Sequence, residues 1–438
     1  MAEFAKRFLI YRGDHRERQN VIWNTLGSGV YALASMVLAF IVMRMAGEDE
    51  GGIFGFGFST YGQQMFIVAY FGIRPFHITD GRQEYTFGDY RRLRRLTCGA
   101  AAAAAALHLA AMALFGAYSA HKAAVIFLLA AYKVIDGYAD VYESEFQRQG
   151  SLYLTGKSNT FRTVLSVAVF LITLQGTGNL TAASLGAVLA QAAGVLLFDV
   201  SVIRAGELPD VRFQAERGAG MRLLKNTALL FVSVFLDFYV FSAAKYAIDG
   251  ELTDAVSGYF NILFMPTSVI YLAANFVIRP FLTRLTAFWN MHDLGGFGKI
   301  RRQIGLVIGG LTVLAVLGAL ILGKPVLGIM ELILGESYRG SLTSHWMAFV
   351  FIILGGGLYA LANLYYYLLV IMRRQGCIFL VYLAASAAAW LLSPALVRRF
   401  SIMGAAVCYV GLMAALAVGF GAMQAVFFRR EKEAEYDR

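Results

Sequence analysis

The sequence predicts an all-α polytopic membrane protein of about 12 transmembrane helices in two pseudo-symmetric six-helix bundles, and three observations carry that prediction. Apolar residues make up 58% of the 438 positions and charged residues only 15%, against about 25% charged in a soluble domain; the mean hydropathy is +0.61. Segments of about 20 apolar residues, the length that crosses a hydrocarbon core of roughly 30 Å as a helix, recur from end to end. One short phrase also occurs twice, as Phe71-Gly-Ile-Arg-Pro-Phe76 and Phe276-Val-Ile-Arg-Pro-Phe281. An Asn-Thr pair precedes each copy (Asn24-Thr25, Asn226-Thr227) and a basic pair follows it (Arg94-Arg95, Arg301-Arg302), at offsets of 202, 205 and 207 residues. Three landmarks repeated in order describe an internal duplication.

The spans fall at about 20–46, 51–73, 96–117, 121–146, 158–176, 179–203, 222–247, 253–283, 302–323, 342–372, 376–397 and 400–428, with ends uncertain by a few residues. Six spans per half is an even number, so both halves enter from the same side and the repeat is parallel about an axis along the membrane normal. The expected bundles are 1–210 and 211–438, joined by a basic linker carrying Arg204, Arg212, Arg217 and Arg222.

Orientation follows from the 38 Lys and Arg residues, which are retained on the cytoplasmic side. Residues 1–19 hold five of them, and alternate loops carry Arg91, Arg92, Arg94 and Arg95, then Lys299, Arg301 and Arg302. The opposite loops are acidic or nearly neutral, as in Gly47-Glu-Asp-Glu50 and Asp249-Gly-Glu251. Both termini are therefore expected in the cytoplasm of a bacterial plasma membrane, while Arg398 and Arg399 fall on the expected outer side and break the pattern. The segment before the first span is polar, unlike a cleavable signal peptide. The net charge of +10 is this topology signal together with attraction to anionic headgroups; a nucleic-acid partner has no folded domain to bind. Cys98, Cys377 and Cys408 have no disulfide or zinc spacing.

An ionisable side chain near the bilayer centre costs about 2.5–3.5 kcal/mol on insertion scales and marks a functional candidate. Lys133, Asp136 and Asp140 in the fourth span share one helical face. They must face protein or water; Lys133 with Asp136 would form an ion pair, leaving Asp140 for proton or cation chemistry. The bland alternative places Asp140, Glu143 and Glu145 on a cytoplasmic extension, and Asp199 in a structural role near the inner surface. Asp237 lies mid-span in the seventh segment and has no counterpart in the first half, which favours a role in ion coupling. Lys245 aligns through the repeat with Arg44, one cation at the outer end of each half; the alternatives are anion contact or snorkelling to headgroups. Arg74 and Arg279, the repeated arginines, each precede a proline that disfavours helix. They are either an anion clamp for phosphate oxygens or helix stops at the inner surface.

Gly51-Gly-Ile-Phe-Gly-Phe-Gly57 lacks the strand and Lys-Ser/Thr of a phosphate loop and reads as close helix packing. Gly355-Gly-Gly357 ahead of Tyr365-Tyr-Tyr367 suggests a loosened tenth helix beside an aromatic surface. His77, His108, His121, His292 and His345 show no metal spacing and no paired nucleophile, so no enzyme site, metal or cofactor is expected.

The entry segment Asn20-Val-Ile-Trp-Asn-Thr-Leu-Gly27, the acidic-glycine turn Gly47 to Gly52, the basic loop Gly88-Asp-Tyr-Arg-Arg-Leu-Arg-Arg95 and the run Asp140 to Gly150 leading to Gly156-Lys157 together give the chain a resemblance to a known family. It resembles the polysaccharide flippases of the multidrug, oligosaccharidyl-lipid and polysaccharide exporter superfamily. The resemblance implies two six-helix bundles arranged as a V around a central cavity, alternating access, and an undecaprenyl-pyrophosphate-linked oligosaccharide moved to the outer leaflet, with polysaccharide assembly proteins as partners. On that reading Arg74, Arg279, Arg44, Lys245 and Lys133 contact substrate, while Asp237, Asp140 and Asp136 couple transport to H+ or Na+. The rival is a multidrug or cation antiporter of the same fold. A membrane glycosyltransferase or polymerase would be expected to show an acidic metal motif or a long external loop, and neither is visible.

Overall fold

The computed structural model describes residues 2–80, 84–209 and 211–436, and among them every regular element is helical. Among the described residues, nine helical stretches are long and apolar enough to cross a membrane. The twelve predicted spans reappear once three local features are considered. The second span is interrupted: helix Glu48–Phe56 passes through a π-helical turn, Gly57–Tyr61, into Gly62–Tyr70. The fourth, Ala120–Arg148, is a full-length helix with too many charges to register as apolar. The last two run together as Gln375–Tyr436, broken at Ser401 by a left-handed φ of 50°.

We number the membrane helices in chain order. Unit 1 contains α1 (Arg16–Ala46), α2 (residues 48–70), α3 (Phe87–Leu114), α4 (Ala120–Arg148), α5 (Leu152–Thr177) and α6 (Leu180–Arg204). Helix α7 (Ala219–Glu251) follows, then α8 (Asp254–Asn290), α9 (Leu294–Leu334), α10 (Trp346–Ile371), α11 (375–400) and α12 (402–436). The chain divides into two compact units, Met1–Phe235 and Leu236–Arg438. The boundary expected at residue 210 lies outside the described residues.

In unit 1, α1 and α5 cross at backbone distance. A Cβ on Gly156 would stand 2.1 Å from the Trp23 carbonyl oxygen, and one on Gly27 would stand 2.6 Å from the Gly156 oxygen. Small residues permit such crossings where lipid gives helices no hydrophobic reason to associate. Asn20 latches the same seam: its side chain accepts from the Tyr153 amide at 2.8 Å and donates to the Gly150 carbonyl at 3.0 Å. The Gly51 turn packs as expected, since a Cβ there would meet Met43 at 2.7 Å.

The N-terminus of α3 anchors the linker to α7. Thr86 and Asp89 form a reciprocal capping box. Asp89 Oδ1 also accepts from the Glu216 amide at 2.8 Å, and the Gly88 amide donates to the Arg212 carbonyl at 2.9 Å. Only glycine fits at 88, because a Cβ would lie 2.2 Å from the Phe213 oxygen.

The repeated phrase adopts two conformations. In the first copy Phe71 and Gly72 both take left-handed φ values, 51° and 65°, and a new short helix Ile73–Thr79 begins. In the second copy the helix continues through Pro280 to Asn290, which corrects the expectation of a helix stop at Arg279. Helix α10 is likewise continuous, not loosened. Gly355 and Gly357 admit Tyr409 of α12 and Thr312 of α9, which hypothetical Cβ atoms would meet at 2.5 and 2.1 Å.

Candidate functional site

Unit 1 holds a buried network of charge on α4. Asp140 is gripped from two sides: Arg74 Nη1 donates to its Oδ1 at 2.5 Å and Arg94 Nη2 to its Oδ2 at 2.7 Å. Arg94 is fully buried and also donates to the carbonyls of Ala69 and Tyr70, the residues where α2 ends. Those carbonyls are free because the left-handed Phe71 ends the helix. Arg74 reaches on to Glu143, 3.6 Å away, and donates to Gln147 at 2.8 Å.

One turn deeper, Arg162 of α5 sits among three carboxylates. Its Nη1 donates to Asp136 Oδ1 at 3.1 Å, its Nη2 donates to Glu143 Oε1, and its Nε stands 3.5 Å from Asp199 Oδ2. Its Nε donates to Ser158 Oγ at 3.0 Å, and Nη2 also donates to Asn159 Oδ1 at 3.1 Å. The result is a ladder of alternating sign along the inward face of α4. Fully buried ions persist only when paired and hydrogen-bonded in this manner.

Several sequence expectations change here. The Lys133–Asp136 ion pair is replaced: Lys133 donates to the Tyr31 hydroxyl at 2.7 Å and lies 4.0 Å from the Phe58 ring centroid, while Asp136 belongs to Arg162. Asp140, expected as the available carboxylate, is the most tightly clamped. Glu143 and Glu145 are buried, not part of a solvated extension. Arg74 faces Asp140, whereas Arg279 is exposed on α8, so the repeated arginines do not occupy equivalent surroundings. Arg44 is exposed and Lys245 is buried, its ammonium 4.5 Å from the Phe264 ring centroid. Sequence reasoning missed Arg162 and the inward role of Arg94. An arginine four residues into a predicted span was a signal; Arg94 was hidden in a basic run.

Unit 2 builds a different site around Asp237 of α7. Tyr359 of α10 donates to Asp237 Oδ2 at 2.9 Å, and Oδ1 has no hydrogen-bond partner among the described residues. Tyr382 of α11, Tyr271 of α8, and Tyr366 of α10 lie within electrostatic reach of the carboxylate. Phe241 and Tyr271 flank the Tyr359 ring, with centroids 4.9 and 5.6 Å away. No basic side chain pairs with Asp237 among the described residues. The site is therefore one carboxylate in an aromatic shell, supplied by four helices of the unit.

No protein-family model and no curated protein matches the sequence. Solved structures do match the fold along nearly the whole chain. An inward-facing multidrug resistance MATE family transporter of the MOP superfamily superimposes with a TM-score of 0.66 at 12% identity, covering 94% of this chain and 99% of that one. The eukaryotic MATE transporter AtDTX14 gives 0.60 at 11% identity, covering 96% and 100%. An outward-facing MATE family transporter gives 0.54 at 14% identity, covering 96% and 98%. The chain has the fold of MATE transporters of the MOP superfamily. Identities this low carry the architecture and leave the cargo to be argued from the site.

Proposed function

We propose that the chain is an ion-coupled exporter that moves amphiphilic organic cations across the membrane by alternating access, exchanging them for H+ or Na+ at Asp237. The observation that supports this most directly is the unit 2 site: an acidic group with an unpartnered oxygen inside a shell of tyrosines and Phe241. An intramembrane carboxylate without a basic partner is suited to a proton or a small cation. Aromatic faces around it suit an organic cation, attracted by the ring quadrupoles. One site that takes either occupant, never both, is the chemical requirement for exchange. Rocking of two six-helix bundles supplies the alternating exposure. The setting consistent with the charge pattern is a bacterial plasma membrane with both termini in the cytoplasm.

The test is efflux of a fluorescent organic cation from proteoliposomes under an imposed pH or Na+ gradient. Wild-type protein should give gradient-dependent transport and Asp237→Asn should give none, at equal protein incorporation. Undiminished transport by Asp237→Asn would remove the carboxylate from the mechanism.

A second reading, flipping of a lipid-linked oligosaccharide, is favoured by Lys245, which is 8% exposed and has no carboxylate partner within 4 Å among the described residues. With exposed Arg279 it would offer cationic contacts to a pyrophosphate, and polysaccharide assembly proteins would then be natural partners. Against it, Arg74 and Lys133 are already engaged. A leaflet-accessibility assay with a labelled lipid-linked oligosaccharide separates the two, since only the flippase reading predicts a change of leaflet.

A further inference from the structure

Unit 2 carries a groove of ≈ 910 Å³ between the start of α9 and the second half of α12, floored by α10. Its lining is mostly apolar: Gly305 and Leu306 on α9, Leu361 and Leu364 on α10, Ala417 and Val418 on α12. Its polar end is made of donors. Arg301 and Arg302 line it, at the predicted membrane boundary of α9, and no acidic residue does. Arg301 Nη1 donates to Gln424 Oε1 at 3.0 Å and its guanidinium lies 4.9 Å from the Phe428 ring centroid; it forms no ion pair among the described residues. Because an arginine can only donate, this bond fixes the Gln424 amide with its Nε2 turned away. That nitrogen belongs to a side chain 1% exposed and has no hydrogen-bond partner among the described residues.

We propose that this groove binds an anionic phospholipid, the phosphate on Arg301 and Arg302, an acyl chain along the apolar lining. The charge complementarity is one-sided: donors and cations at one end, hydrocarbon along the rest. A cleft of ≈ 430 Å³ in unit 1 has Arg92 at its rim but also Glu216 in its lining, so it lacks that one-sidedness. Basic residues near the surface contribute about 1 kcal/mol each toward anionic lipid, which is about fivefold in affinity per arginine. The inference concerns a resident lipid and stands apart from the identity of the exported cargo.

The experiment titrates the purified full-length protein in detergent with dioleoyl phosphatidylglycerol, dioleoyl phosphatidylcholine or inorganic phosphate, reading bound lipid by native mass spectrometry and unfolding by thermal melt. Phosphatidylglycerol should bind at least tenfold tighter than phosphatidylcholine and raise the melting temperature, and phosphate alone should not. Arg302→Gln, at an exposed position, should weaken phosphatidylglycerol about fivefold. Gly305→Leu, whose Cβ would stand 4.0 Å from Leu364, should weaken both lipids by filling the groove. Equal binding of the two lipids, a melt shift reproduced by phosphate, or phosphatidylglycerol binding unchanged in both variants would overturn the proposal.

Discussion

Arg162 is one guanidinium facing Asp136, Glu143 and Asp199, so its loss would leave Glu143 with Arg74 alone, 3.6 Å away, and Asp136 and Asp199 with no ion-pair partner among the described residues. Breaking a buried pair from one side typically costs about 3–5 kcal/mol because the surviving charge is stranded. Arg162→Met should therefore lower the melting temperature far more than Arg279→Met, which removes an exposed side chain. Tyr359→Phe deletes the 2.9 Å hydrogen bond to Asp237 while keeping the ring, and should change the ion dependence of transport more than protein yield. His77, outside the membrane spans, stacks on Tyr90 with centroids 3.9 Å apart and bonds Glu145 at 2.8 Å, with Arg148 on the same carboxylate. Burial lowers its pKa from the ordinary 6.5. Below that value the unfolded chain takes up a proton that the folded chain refuses, so stability falls as pH drops from 7.5 to 5.5. The melting temperature should fall over that interval, and less steeply in His77→Gln.

Among elements, the crossing of α1 and α5 is the most demanding contact. A methyl at 156 would enter the Trp23 backbone, which cannot swing away as a side chain can. Gly156→Ala should destabilise by about 1–3 kcal/mol, the usual range for overpacking. Gly29, on α1 two positions past Gly27, has nothing within 4 Å of a hypothetical Cβ; Gly29→Ala should be neutral or slightly stabilising through helix propensity. Thermal melts of the two variants side by side check the contrast. The element scale also shows where periodicity is blind. The π turn at Gly57–Tyr61 and the break at Ser401 interrupt apolar runs without altering their composition. The spans were legible, their irregularities were not.

For the whole molecule, the two units differ in their polar interiors. Unit 1 concentrates its buried charge on α4 and balances it with arginines from α3, α5 and the short helix after α2. Unit 2 places Asp237 among tyrosines, with no basic partner among the described residues. Exchange at that carboxylate predicts that an imposed gradient of the coupling ion accelerates release of preloaded organic cation, and that the cation in turn drives countermovement of the ion. Transport insensitive to either gradient would exclude coupling by exchange.

The sequence by itself determined the class of this protein. Crossing a hydrocarbon layer demands about 20 apolar residues per span whatever the neighbours are, so span number and the polar outliers could be read directly. Which outlier pairs with which was decided only by tertiary structure. Lys133 and Asp136 are neighbours along one helix, yet Asp136 is taken by Arg162, 26 residues away, and Asp140 by Arg74 and Arg94. Electrostatic partners are chosen by distance in space and by desolvation, and neither is written in local spacing. The repeated Ile-Arg-Pro-Phe makes the same point: identical letters start a helix after a left-handed turn in one half and lie inside a continuous helix in the other.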